Sequence, residues 1–372
     1  MSTSCHHLDH NCEWPDTDEL VAAANRIRPY VSVTPVMTSS LLDSMSNGRR
    51  LYFKCEHLQR TGSFKLRGAL NALLRMPQGY AGVVAHSSGN HGQALAWAAD
   101  RLRLVCCVVV PNDTPAAKIQ PMRSYGAEVH FCQPNYSDRR RVCDRLAAER
   151  RLYPVPSSDH WDVISGQASV GLELIEQVPE LDAVLVPVCG GGLAAGVALA
   201  SATMSKAAEP ASASAARSSV RVYCVEAAGK NLAASLVAGQ PLNTSDEFIP
   251  TVAESLRLRP VAPLALSVLH RLAERRVFSV DNAGMAGGVR LAARYLKQTV
   301  EAASGAALFA AVHLADKTLP PVTECQNIGV VLSGGNLDPF SKEFYRLTAE
   351  LETVTDGGGG PVNIVGPVML QM

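Results

Sequence analysis

No two cysteines are spaced as CxxC, although ten are scattered along the chain: Cys5, Cys12, Cys55, Cys106, Cys107, Cys132, Cys143, Cys189, Cys224 and Cys325. That spacing argues against a zinc knuckle. Several lie in apolar runs such as Val105-Cys106-Cys107-Val108, as buried free thiols do in a reducing compartment. Charge of one sign is also lacking, since 34 basic residues balance 34 acidic ones. No basic cluster interleaves with aromatics, and Tyr52-Phe53 beside Lys54 reads as a strand. Both absences argue against nucleic acid as a partner. No apolar run reaches the ~20 residues that span a bilayer. The polar, His-rich start, Met1 to Asp16, lacks the basic head and apolar stretch of a secretion signal. The expected compartment is the cytosol, with no membrane partner.

What is present is a chain of 372 residues with 47% apolar and 18% charged content. Such a chain folds, and its length favours two lobes over one core. Short Val-rich runs alternate with amphipathic or Ala-rich stretches. The runs are Leu51–Cys55, Gly82–Ala85, Leu104–Val110, Glu128–Phe131, Ala183–Val188, Val220–Val225, Val277–Val280 and Ile328–Leu332. The stretches are Phe64–Arg75, Gly92–Arg101, Ala116–Tyr125, Ser137–Arg150, Ser165–Gln177, Leu193–Ser205 and Asn282–Glu301. This alternation predicts an α/β protein with largely parallel sheets covered on both faces. Residues 1–20 read as a disordered extension, in which Cys5, His6, His7, His10 and Cys12 could ligate a metal but have no nameable supporting partner. The low-complexity stretch 207–219 reads as a surface insertion, and 353–372, with Gly357–Gly360, as a flexible tail.

Four loops carry chemistry. In Thr61-Gly62-Ser63-Phe64-Lys65-Leu66-Arg67-Gly68, small residues precede a helix and put Lys65 in its first turn. There the helix dipole favours a neutral, nucleophilic amine. Taken alone, a lysine at a helix start is more often a solvated charge. His86-Ser87-Ser88-Gly89-Asn90-His91 follows a strand and opens a helix, an arrangement suited to holding a carboxylate. Val188-Cys189-Gly190-Gly191-Gly192-Leu193 follows another strand. Its glycines let consecutive N–H groups converge on one compact phosphate. It is neither GxGxxG nor GxxxxGK[ST], so neither a dinucleotide nor a nucleoside triphosphate is implied. Leu332-Ser333-Gly334-Gly335-Asn336 places a hydroxyl at a strand end, where α/β enzymes bind ligands.

These four motifs, in this order and spacing, resemble the serine/threonine dehydratase and serine racemase family of fold-type II pyridoxal-phosphate (PLP) enzymes, over about Ile27 to Phe344. The resemblance implies two open-twisted α/β domains of the tryptophan synthase β-subunit-like architecture. A small mobile domain would span 82–151, and a discontinuous large one 21–81 and 152–352. It implies that Lys65 carries PLP covalently and moves a proton on one face of the substrate Cα, with Phe64 beside it. Asn90 would contact the cofactor's ring oxygen. Cys189, Gly190, Gly191, Gly192 and Leu193 would hold its phosphate, Ser333 its ring nitrogen, and Glu301 would lie near it. Ser87, Ser88, Asn90 and His91 would surround the substrate carboxylate, and Arg139 would close over the substrate. A homodimer is implied by resemblance alone.

The expected activity is racemisation of serine or β-elimination from L-serine and L-threonine, giving a 2-oxo acid and ammonia. Racemisation needs a second proton carrier. Racemases of the family have Ser-Ser-Gly-Asn where plain dehydratases resemble Ser-Ala-Gly-Asn, and this chain has Ser88. Threonine dehydration proper, or elimination from 3-hydroxyaspartate, is the alternative; a catalytically silent PLP-binding homologue is the alternative of another class. Departures are Cys189 in place of glycine, Ala253-Glu254-Ser255 in place of Ala-Asp-Gly, and Glu301-Ala302 in place of Glu-Pro. The family's divalent-cation site keeps Glu226 but has Leu232 where its last carboxylate stands, with Lys230 near. No metal is therefore expected, since a hard cation wants oxygens.

Overall fold

The computed structural model of the chain describes residues 14–207, 219–245 and 247–338. The His-rich segment Cys5 to Cys12, nearly all of the expected insertion at 207–219, and the expected tail at 353–372 lie outside the described residues.

Ten strands form two sheets among the described residues: β1 Val36–Met37, β2 Arg50–Lys54, β3 Gly82–His86, β4 Val105–Pro111, β5 Glu128–Cys132, β6 Leu152–Pro154, β7 Ala183–Pro187, β8 Arg221–Ala227, β9 Phe278–Val280 and β10 Asn327–Val331. The larger sheet runs β1-β2-β10-β7-β8-β9 and the smaller β5-β4-β3-β6. Every pair is parallel except β1 with β2. Parallel strands need helical crossovers, which cover both faces, so the central strands can be apolar throughout. Ala183 to Pro187 is buried at every position. The chain is an α/β protein with two open sheets, as its strand pattern predicts.

Two expected boundaries need correction. The extension at 1–20 runs too far, because Thr17–Ile27 is a helix. Asp16 caps it, its carboxylate accepting from the Glu19 N–H at 2.8 Å, and Leu20, Ala23 and Ile27 make a fully buried stripe. Asp16 is therefore an N-cap rather than part of an extension. The boundary at 151 falls one strand early: Leu152 and Tyr153 pair with Gly82 and Val83, so β6 completes the smaller sheet. Three residues ending in proline give no readable periodicity.

The helix Lys65–Leu74 lies between the two sheets. Leu66, Ala69, Leu70 and Leu73 join the core around β3 and the helix Asn90–Arg101. Gly68 abuts the helix Trp161–Gln177 so closely that a Cβ there would lie 2.8 Å from the Val163 carbonyl oxygen. The same helix holds Arg67, fully buried, which donates to both carboxylate oxygens of Glu56 at 2.8 Å and to Glu173 at 2.7 and 2.8 Å. Lys54 joins through Glu173 at 2.7 Å. Burial alone would raise the Glu56 carboxyl, but Arg67 and Lys54 outweigh it and hold it below its ordinary value. Arg67→Met leaves two carboxylates without their shared cation and is expected to cost about 3–5 kcal/mol in urea unfolding. Because Glu56 is depressed in the fold, its contribution is complete above the unfolded carboxylate range and is lost as pH falls below it. An unchanged midpoint in the variant would refute the role given to this cluster.

Candidate functional site

The four loops meet at one cavity of about 590 Å³ between the sheets. Three of them leave the C-terminal ends of β3, β7 and β10, where parallel sheets present their loops on one side. The first and fourth are joined backbone to backbone. Ser63 bridges Gly334, the Phe64 N–H donates to the Ser333 carbonyl at 3.1 Å, and the Gly335 N–H donates to Gly62 at 2.9 Å. Asn336 then ties this pair to the second loop. Its amide donates to the Thr61 carbonyl and to Asn90 Oδ1, both at 2.8 Å. These contacts bring Lys65, Asn90, Ser333 and Glu301 to a single wall.

Lys65 is the first residue of its helix, after Phe64. Its Nζ donates to the Ser157 carbonyl at 2.5 Å and stands 5.1 Å from the Phe64 ring centroid. Burial pushes its amine down to about 8, although Cys189 and Glu301 pull the other way. The cause is desolvation, where the sequence suggested the helix dipole. A buried amine near neutrality is poised to react with a carbonyl.

Asn90 donates to Glu301 Oε2 at 2.8 Å, and Ser255 donates to Glu301 Oε1 at 3.2 Å. Burial raises the Glu301 carboxyl, and these two donors oppose it. A Cβ at Gly334 would lie 2.8 Å from Glu301 Oε1 and would displace that carboxylate. Ser333 is 2% exposed, and its hydroxyl lies 3.5 Å from that of Ser304, which also donates to the Gly334 carbonyl.

At the third loop, Gly191 has φ +92°, a left-handed value that favours glycine, whereas Cys189 does not. A Cβ at Gly190 would lie 2.3 Å from Ser158 Oγ, and one at Gly192 would lie 3.0 Å from the Ser158 carbonyl. Leu193 completes the turn into the helix Gly192–Ala207. Glycine is thus required by close approach as well as by conformation. A cradle of this kind, lining the same cavity as a buried amine, fits a compact phosphate on an aldehyde-bearing ring.

Ser87, Ser88, Asn90 and His91 all line the cavity at the start of the helix Asn90–Arg101. The Ser87 hydroxyl accepts from the Gly89 N–H at 3.4 Å. His91 is turned inward: Nε2 lies 2.9 Å from the Val155 carbonyl, Nδ1 is unpartnered, and burial pushes the ring down to about 3. It is a neutral imidazole, so it offers no charge to an anion. Arg139 enters from the opposite wall, 7% exposed.

The sequence reading did not include Ser157 and Ser158, which supply the acceptor for Lys65 and the floor of the glycine loop. Their signal was available: two small polar residues three positions past the end of a strand, but the strand itself, β6, went unread. Ser304 and the Lys118–Glu254 ion pair of 2.5 Å at the cavity also went unread, because each depends on chain segments far apart in sequence. Lys230 donates to the carbonyls of Leu258 and Arg259 at 2.5 and 3.1 Å, while Glu226 accepts from the Leu232 N–H at 2.8 Å. An ammonium group therefore serves these carbonyls. The cluster Cys107, Glu128 and His130 has metal-ligand chemistry, but Arg150 already binds Glu128, at 2.5 Å, and Cys107, at 3.1 Å.

A profile of the family described as pyridoxal-phosphate dependent enzymes matches residues 27–334. The serine racemase of Arabidopsis thaliana is 36% identical over 319 residues, covering 85% of this chain and 91% of that protein. The crystal structure of a pyridoxal 5'-phosphate-dependent aspartate racemase superposes with a TM-score of 0.80 at 39% identity, covering 88% of this chain and 97% of that one. The crystal structure of a threonine deaminase from T.th. does so with a TM-score of 0.77 at 35% identity, covering 88% and 100%.

Proposed function

Since the chain belongs to the family of pyridoxal-phosphate dependent enzymes, we propose that it acts on L-serine and L-threonine, by racemisation and by β-elimination to a 2-oxo acid and ammonia. The observation that carries this reading is the position of Lys65. A buried amine held near pH 8 faces a three-glycine cradle, a strand-end hydroxyl and a helix N-terminus within one cavity. Its relatives include a serine racemase by sequence and a threonine deaminase by fold.

When bound, PLP draws off the electron pair left at the substrate Cα. The residues of the chain do the rest. Lys65 would hold the cofactor covalently and, once freed, take the Cα proton on its own face. The N–H groups of Gly190 to Leu193 would hold the phosphate without adding charge. Ser333 would offer the ring nitrogen a neutral hydroxyl and Asn90 would offer the ring oxygen an amide, which Glu301 and Asn336 fix in place. Ser87, Ser88 and the free N–H groups of the helix start receive the α-carboxylate. Ser88 carries the proton on the face opposite Lys65, so that it returns with inverted configuration. Elimination instead releases the β-hydroxyl as water.

A cytosolic homodimer completes the reading. A reducing compartment is supported by eight cysteines free of disulfide bonds among the described residues, seven of them buried. No helix among those residues is long and apolar enough to cross a membrane. Parallel assays of 2-oxo acid and of the D-amino acid from L-serine, L-threonine and their D-forms test the function. The expected result is both products from L-serine. Bound PLP with neither product from any hydroxy-amino acid overturns it.

A further inference from the structure

Lys230 is 1% exposed, yet it belongs to no strand or helix. It stands in the turn after β8, between Gly229 at φ +95° and Asn231 at φ +61°, and its N–H donates to the Ala227 carbonyl at 3.2 Å. Its Nζ donates to two successive carbonyls, those of Leu258 at 2.5 Å and Arg259 at 3.1 Å. Burial pushes the amine below the ordinary lysine value, opposed first by Cys189 and then by Glu226 and Cys224. The ammonium therefore lies where three parts of the chain converge: the end of β8, the glycine loop that Cys189 opens, and the segment that reaches Arg259.

That segment is a wall of the cavity. Every residue from 251 to 258 lines it, and its only regular element is a single 3₁₀ turn, Glu254–Leu256. Ser255 in this turn donates to Glu301. Just beyond, the Ala262 N–H donates to the Gly190 carbonyl at 3.0 Å, so the wall runs directly into the glycine loop. Without a strand ladder or a long helix, such a stretch keeps its shape only if its inward carbonyls find donors. Lys230 gives two of them charge-assisted bonds.

The same place does not fit a divalent cation, which takes about six oxygen ligands. Glu226 Oε2 already accepts from the Leu232 N–H at 2.8 Å, and the Leu232 side chain has no oxygen. The two carbonyls are bound to the ammonium, whose charge would repel a second cation beside it.

We propose that the Lys230 ammonium is a built-in cation that fixes the wall 251–259 against the glycine loop, so that cofactor and substrate are positioned with no divalent ion. Lys230 does not line the cavity, so it is a positioning residue that acts through this wall. The proposal rests on the reading of the cavity as a PLP site acting on an amino acid.

Holoenzyme treated with EDTA and then titrated with magnesium or calcium chloride is expected to keep the same Tm and the same kcat/KM for L-serine throughout. Several-fold activation by either ion overturns the proposal without requiring any variant. Lys230→Met keeps the volume and removes the charge. It is expected to weaken PLP binding, read by absorbance titration, and to raise the KM for L-serine, by about 10-fold each, the worth of one charge-assisted hydrogen bond. Lys230→Ala is expected to lose as much and to regain it in propylammonium chloride, which restores both stem and charge; the methionine variant, its space already filled, regains nothing. Wild type in the same salt is the reference, because a free amine also meets the aldehyde. Unchanged PLP affinity in Lys230→Met, or a folded Lys230→Ala that propylammonium does not restore, overturns the proposal. Failure of the underlying PLP reading is separate: it shows as no visible cofactor absorption in the wild type, with or without divalent ions.

Discussion

Lys65→Ala is expected to abolish the visible absorption band of bound cofactor and to lower turnover about 1000-fold or more, since it removes both the anchor and one proton carrier. Lys65→Arg is expected to fail likewise, because a guanidinium stays protonated and cannot capture an aldehyde. The pH dependence follows from the direction of the shift. Burial lowers the amine to about 8, so the reactive neutral form is scarce below that value and dominant above it. The rate at which apoenzyme captures PLP should rise with pH and level off above about 8, rather than near the ordinary lysine value. Stopped-flow absorbance reads that rate without any substrate present. A variant that keeps the band and half its activity, or a capture rate still climbing steeply at about pH 10, near the unperturbed lysine value, would place the anchor elsewhere.

Ser88→Ala is expected to have the next largest effect, on the partition between products. With the second proton carrier gone, a proton can return only from the Lys65 face, and the ratio of D-serine to pyruvate should fall about 100-fold. Both products must be measured in one reaction, since a general loss of activity would move them together and leave the ratio unchanged. An unchanged ratio would assign the second proton to another group in the cavity. Loss of deuterium incorporation from heavy water into recovered L-serine would not separate these cases, so the D-product is the decisive reading.

The strands of both sheets were legible because parallel strands buried on two faces become continuous apolar runs, and each of the eight runs overlaps an observed strand. The two unread strands, β1 and β6, have two and three residues, too few to show any period. The helix Thr17–Ile27 was misread for a different reason. Its acidic first turn looks like a tail until Leu20, Ala23 and Ile27 are seen as one stripe. At the site, the four loops were legible because each is a strand-end or helix-start motif, local in sequence. What joins them was not. The hydrogen bond from Asn336 to Asn90 spans 246 positions, and that from Asn90 to Glu301 spans 211. In the fold the hydroxyl of Ser255, a departure from the family pattern, donates to Glu301, so it takes part in the cavity wall.

The shared helix Lys65–Leu74 limits how this architecture can be rearranged. Gly82 and Leu152 are direct partners in adjacent strands, so the smaller sheet begins and ends at one place. A gene segment from 82 to 154 therefore looks like a self-contained cassette, ready to be exchanged between homologues. Yet its inner face is closed by Leu66, Ala69 and Leu70, which lie upstream on the helix that begins with Lys65. A graft of 82–154 alone would meet a foreign cover and open gaps beside the reactive amine. A graft that keeps its cover would have to begin at Phe64, so that the lysine travels with the lobe, and would still meet Ile27, Val31 and Val163 in the same core.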